Sequence, residues 1–157
     1  MASVTFNLLD MMREDFFDET TVLDLEYAAT PANDVLTMMV LNALTIDQNL
    51  DDLISSVATF TEVTESNYTA GGNELADCAV TMDGSGLITV DATDPATWSQ
   101  HATGFPDAVR VVIAMKNAGA SSTWDLLGYS DAFTAAGNVA GDFSIALAAG
   151  GIFTCAR

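Results

Sequence analysis

Short apolar runs separated by glycine-containing or polar turns fill the second half of the chain, and this pattern limits the fold more than any other feature. Each run is four to eight residues long. The runs are Leu75–Met82, Leu87–Asp91, Ala108–Met115, Trp124–Tyr129, Asp142–Leu147 and Ile152–Cys155. Strands of this length at regular spacing are typical of antiparallel sandwiches and barrels. We therefore predict a mainly β fold, an antiparallel β-sandwich, with residues 67–157 as its β-strand core.

Two of these runs predict a β-hairpin. The segment Asp83-Gly84-Ser85-Gly86 lies between them, and glycine takes the positive φ angles of tight turns without strain. In the first run, Cys78, Val80 and Met82 alternate and so share one face of the strand. The alanine-rich stretch at 132–141 is interrupted by glycine and predicts a loop rather than a helix.

The first part of the chain predicts one strand between two short helices. The spacing of apolar residues indicates an amphipathic helix over Thr5–Phe17. A dense apolar run then favours a buried strand over Asp34–Asn42. A second helix is expected from Thr45 to about Ala58, because Thr45 and Gln48 have the spacing of a capping box. Its buried stripe would comprise Ile46, Leu50, Leu53, Ile54 and Val57.

A chain of 157 residues suits a single domain, and we assign residues 1–157 to one. Residues 1–30 are interpreted as an N-terminal docking arm. Its apolar stripe gives four candidate interface residues, Phe6, Leu9, Phe16 and Phe17. Arg110 is a fifth candidate, on the strand face opposite Val109 and Val111. It is either a solvated residue of the outer face or the partner of an acid on another subunit, a role that suits arginine.

The charge balance is extreme, with 22 acidic residues against 4 basic ones and a net charge of −18. Nucleic acids are bound mainly through lysine and arginine at their phosphates, so we expect no nucleic-acid partner. Anionic membrane surfaces are excluded on the same ground. The sequence has neither an 18-residue apolar run nor a basic segment at its N-terminus. We expect the protein to stay in the cytoplasm, or to be assembled there into something larger.

Acidic residues also supply the candidate metal sites. Asp47, Asn49 and Asp51 match the start of an EF-hand loop, but Asp52 stands where glycine is needed and Ala58 where glutamate is needed. A capped helix start explains them better. Three further carboxylates flank the predicted hairpin and suggest a calcium site, for which solvated turn residues are the alternative. They are Asp83, Asp91 and Asp94.

No motif in the sequence indicates catalysis, and we expect neither enzymatic activity nor a cofactor. His101 is the only histidine. The segment Asp83-Gly84-Ser85-Gly86-Leu87 departs at its last position from the Gly-x-Ser-x-Gly pattern of hydrolases. Cys78 and Cys155 fit no zinc spacing, and they are either buried thiols or a disulfide between a middle strand and the last one. Asn67-Tyr68-Thr69 matches a glycosylation sequon, which we expect to be unused.

A series of motifs begins at Tyr68-Thr69-Ala70-Gly71-Gly72 and continues to the C-terminus. The later members are the strand at 78–81, the segment from Asp91 to Trp98, the strand at 109–115, Leu126-Leu127-Gly128-Tyr129, and Gly151-Ile152-Phe153-Thr154. In this order they resemble a family of small virion structural proteins of tailed bacteriophages. The resemblance covers about 90 residues. Cys78 and Cys155 stand where that family usually has aliphatic residues.

The resemblance implies a capsid decoration, or cement, protein on the outer surface of the icosahedral head. Its partners would be the major capsid protein and further copies of itself, after assembly in the host cytoplasm. Charge favours the outside of the head, because the packaged genome would repel an anionic protein. The alternative is a tail, neck or fibre protein that contacts the host. In that case exposed aromatic residues at Trp98, Trp124 and Tyr129 could bind sugars or a receptor, or else they pack in the core.

Overall fold

The computed structural model describes residues 2–3, 6–8, 35–49, 51, 53–85, 87–116 and 119–156. Within these ranges the chain forms eleven strands and one short 3-10 helix at Ser121–Thr123. The strands are β1 (Ala2–Ser3), β2 (Phe6–Leu8), β3 (Val35–Thr45), β4 (Thr59–Glu62), β5 (Asn73–Glu74), β6 (Ala79–Met82), β7 (Leu87–Asp91), β8 (Arg110–Lys116), β9 (Asp125–Ser130), β10 (Ile145–Ala146) and β11 (Phe153–Ala156). The prediction of a mainly β protein is confirmed.

The described strands form one large sheet and two smaller ones. The large sheet has the order β2-β9-β8-β3-β4, and β5 pairs with one end of β3. Three strands in the order β11-β7-β6 form the second sheet, termed the small sheet, and all pairs in the large and small sheets are antiparallel. The third sheet is the parallel pair of β1 and β10. The large sheet contains strands that precede residue 67 (β2, β3 and β4) and strands that follow it (β5, β8 and β9).

The two central strands of the large sheet are apolar on both faces. In β3 every residue from Leu36 to Leu41 is buried, and in β8 every residue from Val111 to Met115 is buried. Consecutive apolar residues point to opposite faces of a strand, so both faces of the sheet centre must be covered. The hydrophobic core includes residues of the small sheet, among them Val90 and Phe153, together with these central strands.

The predicted hairpin is confirmed, although its first strand covers only Ala79–Met82 of the predicted run Leu75–Met82. Strand β6 pairs with β7 around a turn in which Asp83 Oδ1 accepts backbone N–H bonds from Ser85 at 2.8 Å and Leu87 at 2.9 Å. The observed limits of β7 coincide with the predicted run Leu87–Asp91. The runs around β8, β9 and β11 are shifted by one or two residues at their ends. The run Asp142–Leu147 is strand only at Ile145–Ala146, although Phe143 forms an isolated bridge with Trp98.

The two expected helices are corrected. Phe6–Leu8, at the start of the helix predicted over Thr5–Phe17, forms β2 and pairs with Ser130, Tyr129 and Gly128 of β9. The remainder of that prediction, including Leu9, Phe16 and Phe17, lies outside the described residues.

The second expected helix, from Thr45 to Ala58, is absent among its described residues. Thr45 still belongs to β3 and pairs with Thr59 of β4, so the backbone groups that a helix would need are used in the ladder. The chain between them forms turns, in which the Asp47 N–H donates to Asp51 Oδ2 at 2.6 Å. The capping-box spacing and the apolar stripe were therefore outweighed by strand pairing.

Candidate functional site

Tyr68 holds the first segment of the resemblance, residues 68–72, against the large sheet. Its ring packs against Trp98 and Phe105 at centroid distances of 6.2 and 6.0 Å. Its hydroxyl donates to Glu62 Oε1 at 2.5 Å and accepts from the Val40 N–H at 3.0 Å. The loop is therefore tied to both β3 and β4.

Burial controls the ionisation of this pair. It raises the pKa of the half-buried Glu62 carboxyl, although hydrogen bonds from the Tyr68 hydroxyl and the Gly71 N–H act in the opposite direction. Burial also raises the pKa of Tyr68 far above its usual range, and the hydrogen bond to Glu62 and the charge of Glu62 add to that effect. Tyr68 is therefore a neutral hydrogen-bond donor to Glu62.

The two glycines of this segment are required by close backbone contact. Gly71 and Gly72 have φ angles of +93° and +74°, which favour glycine. A Cβ added at Gly72 would lie 2.0 Å from the carbonyl oxygen of Met38. Opposite them, the buried Thr37 hydroxyl donates to the carbonyl oxygens of Gly71 at 2.6 Å and Asn73 at 3.2 Å. The segment thus has a structural task, which is to dock β5 on β3.

A shallow groove opens beside this docked segment, with a volume of about 390 Å³. Its lining residues are Thr37, Thr69, Ala70, Gly71, Gly72, Asn73, Glu74, Lys116 and Trp124. Lys116, the only lysine in the sequence, forms an ion pair with Glu74 at 2.5 Å and lies 5.9 Å from the centre of the Trp124 ring. The groove can accept a small polar group or a piece of chain. Its one ammonium group, however, already has a carboxylate partner.

The predicted calcium carboxylates do not come together. Asp83 and Asp91 lie at opposite ends of β7, and Asp94 Oδ1 accepts the Leu147 N–H at 2.7 Å. In the other candidate loop, Asp47 Oδ1 accepts the Asn49 N–H at 3.0 Å. Within the described part of the chain, no group of three or more histidine, cysteine, aspartate or glutamate side chains is placed to hold a metal ion. The described carboxylates of these two motifs cap backbone N–H groups.

The remaining chemical candidates are also used locally. His101 Nδ1 lies 3.2 Å from the Thr103 N–H and 3.0 Å from the Thr103 hydroxyl. Cys78 is a half-buried free thiol whose Sγ lies 3.6 Å from the Leu75 carbonyl oxygen, so it forms no disulfide with Cys155. Burial raises the pKa of the Cys78 thiol, and the charge of Asp77 raises it further. That shift opposes formation of the reactive thiolate.

Of the five candidate interface residues, Phe6 and Arg110 are described. Phe6 is buried in the core on β2. Arg110 is half-buried on β8; its guanidinium donates to the Ser130 carbonyl oxygen at 2.7 Å and lies 5.9 Å from the centre of the Tyr129 ring. Both residues therefore have contacts within the chain. Leu9, Phe16 and Phe17 lie outside the described residues.

The aromatic residues considered for host contact lie in the core. Trp98, Trp124 and Tyr129 are 3%, 7% and 9% exposed, so the alternative of core packing is correct for all three. Trp98 belongs to a cluster with Tyr68, Phe105, Phe133 and Phe143. These rings cannot present a sugar-binding surface as the chain is folded.

The two most exposed large apolar side chains among the described residues lie instead on the hairpin, at a place that the sequence pattern did not single out. Val80 and Met82 of β6 are 51% and 69% exposed. The alternation of Cys78, Val80 and Met82 showed that they share a face, but only the arrangement of the sheets shows that this face lies beyond the core. The signal in the sequence is that Ala79–Met82 contains no charged residue, in a chain rich in acids.

In the described ranges, no helix has the length and apolar character needed to cross a membrane. No protein-family model, curated protein or solved structure shows a significant match to this chain.

Proposed function

We propose that this chain is a structural protein of a tailed-bacteriophage virion without enzymatic activity, bound as a decoration protein to the outer surface of the icosahedral head. The observation that carries the proposal is the ordered series of motifs from Tyr68 to Thr154, which resembles such a family. Tyr68–Gly72 docks β5, and Leu126–Tyr129 lies within β9. These segments do structural work, which fits a role based on fold and contact.

The outward location is supported by charge. Eighteen net negative charges per copy would be repelled by packaged DNA, whereas a location on the outer surface avoids that repulsion. Partners would then be the major capsid protein and other copies of the chain. Binding to several shell subunits at once would strengthen a contact that is weak for one copy alone.

The absence of activity is proposed because the candidate catalytic and metal groups have local structural partners. Asp83 holds the hairpin turn, and His101 contacts Thr103. We also propose that the small sheet packs face to face with the large sheet as a β-sandwich, since Val90 and Phe153 belong to the same core as β3 and β8.

The experiment compares virions with and without this protein. Particles from a phage lacking its gene should lose infectivity faster on heating and osmotic shock, and re-adding the purified protein should restore resistance. Copy number, measured by quantitative gel electrophoresis and cryo-electron microscopy, should be in the hundreds on the head. Unchanged resistance would contradict cementing. A few to a few dozen copies at the tail or neck would favour the alternative location.

A further inference from the structure

The small sheet has an uncovered apolar edge. Val80 and Met82 lie opposite Val90 and Ile88 of β7, and residues opposite each other in an antiparallel pair share a face. On that face Val90 is 3% exposed and its β11 partner Phe153 is 8% exposed. The same face continues to Val80 and Met82, which are 51% and 69% exposed. The core therefore covers this apolar face at Val90 and Phe153 but leaves it exposed at Val80 and Met82.

The backbone at this edge has no partner among the described strands. Strand β6 is the last strand of its sheet, and no described strand pairs with its outer side. The Asp83 N–H donates to the Leu87 carbonyl oxygen at 3.0 Å, which fixes the alternation of the antiparallel ladder. By that alternation Thr81 bonds to β7, and the N–H and C=O groups of Val80 and Met82 point outward.

We propose that β6 pairs with β6 of a second copy across a two-fold axis at Thr81, so that the three-stranded sheets of two molecules become one continuous sheet. Val80 of each copy would then exchange backbone hydrogen bonds with Met82 of the other. Their side chains would form one apolar patch, because directly opposite residues lie on the same face. The contact uses the free edge of β6 in each of the two copies, so the assembly closes at two copies.

Strand length and charge together favour this register and a second copy as the occupant. An axis at Met82 would place Val80 opposite Gly84 of the turn, outside the strand. With the axis at Thr81, Asp83 lies opposite Ala79 of the second copy, and Asp77 lies opposite Ser85. A shift that moves the axis to Val80 places Asp77 directly opposite Asp83, and such like-charged pairs are destabilising. The strand itself, Ala79–Met82, contains no charged residue that would oppose pairing with itself. It also lacks the lysine or proline with which many proteins protect an edge strand.

Two physical terms set the strength of the contact. Pairing of four-residue strands buries less than the roughly 1,200–2,000 Å² of a stable interface, so we expect a weak dimer in solution. Each copy has a net charge of −18, so salt should strengthen the dimer by screening the repulsion between copies. A contact held mainly by attraction between opposite charges would instead weaken with salt.

The β6 dimer gives the proposed virion protein one surface for contact with another copy, and only its place on a virion rests on the proposed function. Analytical ultracentrifugation of the purified full chain tests the dimer independently of that function. We expect a monomer–dimer equilibrium that tightens several-fold between about 0.02 M and about 0.5 M NaCl, over which the Debye length falls to below ~10 Å. A chain that stays monomeric in all these salt concentrations, or one that forms larger assemblies, would overturn the proposal.

The variant Met82→Lys should weaken the dimer at least tenfold, because a lysine on each copy would enter the apolar patch. Met82 is exposed, so the variant should fold, which circular dichroism checks. Its matched control is Thr61→Lys, which adds the same charge to the exposed face of β4 in the other sheet. The control should dimerise like the parent chain. Both variants lower the net negative charge, so loss of the dimer in Met82→Lys alone cannot come from general repulsion.

Cross-linking tests the register. In the proposed dimer Thr81 faces Thr81 of the second copy as a non-hydrogen-bonded pair, with Cα atoms about 4.5 Å apart, within the range of a disulfide. Thr81→Cys should therefore form a covalent dimer under mild oxidation, above the background set by the native thiols of the parent chain. Thr61→Cys should not. Equal cross-linking of the two variants would refute the assignment of the axis to Thr81.

Discussion

A single side chain, Tyr68, joins three parts of the chain. Its hydroxyl donates to Glu62 on β4 and accepts from Val40 on β3, while its ring belongs to the aromatic cluster of the core. The tyrosine of the resemblance motif could be identified from the sequence, but its partners could not. Glu62 precedes it by six residues and Val40 by 28, and no local periodicity connects such positions.

Removing this hydroxyl should cost stability. Tyr68→Phe leaves the Val40 N–H and one lone pair of Glu62 without the partner they have here. We expect a loss of about 1–3 kcal/mol in the free energy of unfolding, measured in urea. The double variant Tyr68→Phe/Glu62→Ala should lose less than the sum of the two single changes, because Glu62→Ala removes the acceptor of the Tyr68 hydroxyl. Additive losses would show that the hydrogen bond contributes nothing of its own.

Glu62 should also make stability depend on pH. Its pKa is raised in the folded chain, so between the unfolded value near 4.5 and the higher folded value the folded state binds more protons than the unfolded state. Stability from this group therefore falls as pH rises through that window. Glu62→Gln keeps an oxygen acceptor for Tyr68 and Gly71 but cannot ionise.

Unfolding in urea at several pH values compares the free energy of unfolding of Glu62→Gln with that of the parent chain. The stability of Glu62→Gln relative to the parent should increase from about pH 4.5 upward, by an amount that levels off once the folded carboxyl is ionised. Glu65→Gln removes the same charge nearby and corrects for the change in net charge. If both variants follow the same curve, burial of Glu62 is not the cause.

Gly72 is the residue at which the backbone permits the least change. Gly72→Ala would place a Cβ 2.0 Å from the Met38 carbonyl oxygen, at a φ angle of +74°. We expect a loss of more than about 2 kcal/mol in unfolding free energy, from strain and from displacement of β3. Gly84→Ala, for which no atom lies within 4 Å of the added Cβ, should stay within about 0.5 kcal/mol. Similar losses in both variants would contradict this account.

At the scale of elements, the sequence predicted strands where apolar runs are bounded by turns and failed where pairing is long-range. The hairpin of β6 and β7 was predictable because all its signals lie within Ala79–Asp91. The expected helix after Thr45 was wrong because β3 continues to Thr45 and pairs with β4. A capping box stabilises a helix by only about 1 kcal/mol, whereas the ladder satisfies several backbone groups at once. The exposed edge of β6 was not predictable, since exposure depends on which strand lies beside it.

The docking of β5 is another long-range feature, and it depends on Thr37. Thr37→Val keeps the shape of the side chain but removes the donor to the carbonyl oxygens of Gly71 and Asn73. We expect a loss of about 1–3 kcal/mol, since a buried hydroxyl and two acceptors are involved. Hydrogen exchange should accelerate at residues 70–75 more than in β8. Thr61→Val on the exposed face of β4 serves as the control and should change neither quantity.

At the scale of the whole molecule, 22 acidic residues are offset by only 4 basic ones. Among the described residues, Lys116 and Glu74 form an ion pair that offsets part of this charge, and their side chains are 41% and 57% exposed. An exposed pair of this kind contributes at most about 1 kcal/mol. The fold is therefore held by the buried strands β3 and β8, while the net charge of −18 acts against compaction.

Because charge repulsion opposes the stability that comes from the buried strands, we expect salt to stabilise the monomer. Adding NaCl from about 0.01 M to about 0.2 M reduces the Debye length from about 30 Å to below 10 Å, so repulsion between distant carboxylates is screened. The midpoint of thermal unfolding should rise by several degrees over this range and then level off. Effects of salt on apolar hydration would instead keep increasing with concentration. Measurement at low protein concentration keeps the β6 dimer from contributing, and Met82→Lys provides the check, since it should show the same rise. A midpoint that is constant or falls as salt is added would mean that the acidic surface does not limit the stability of this fold.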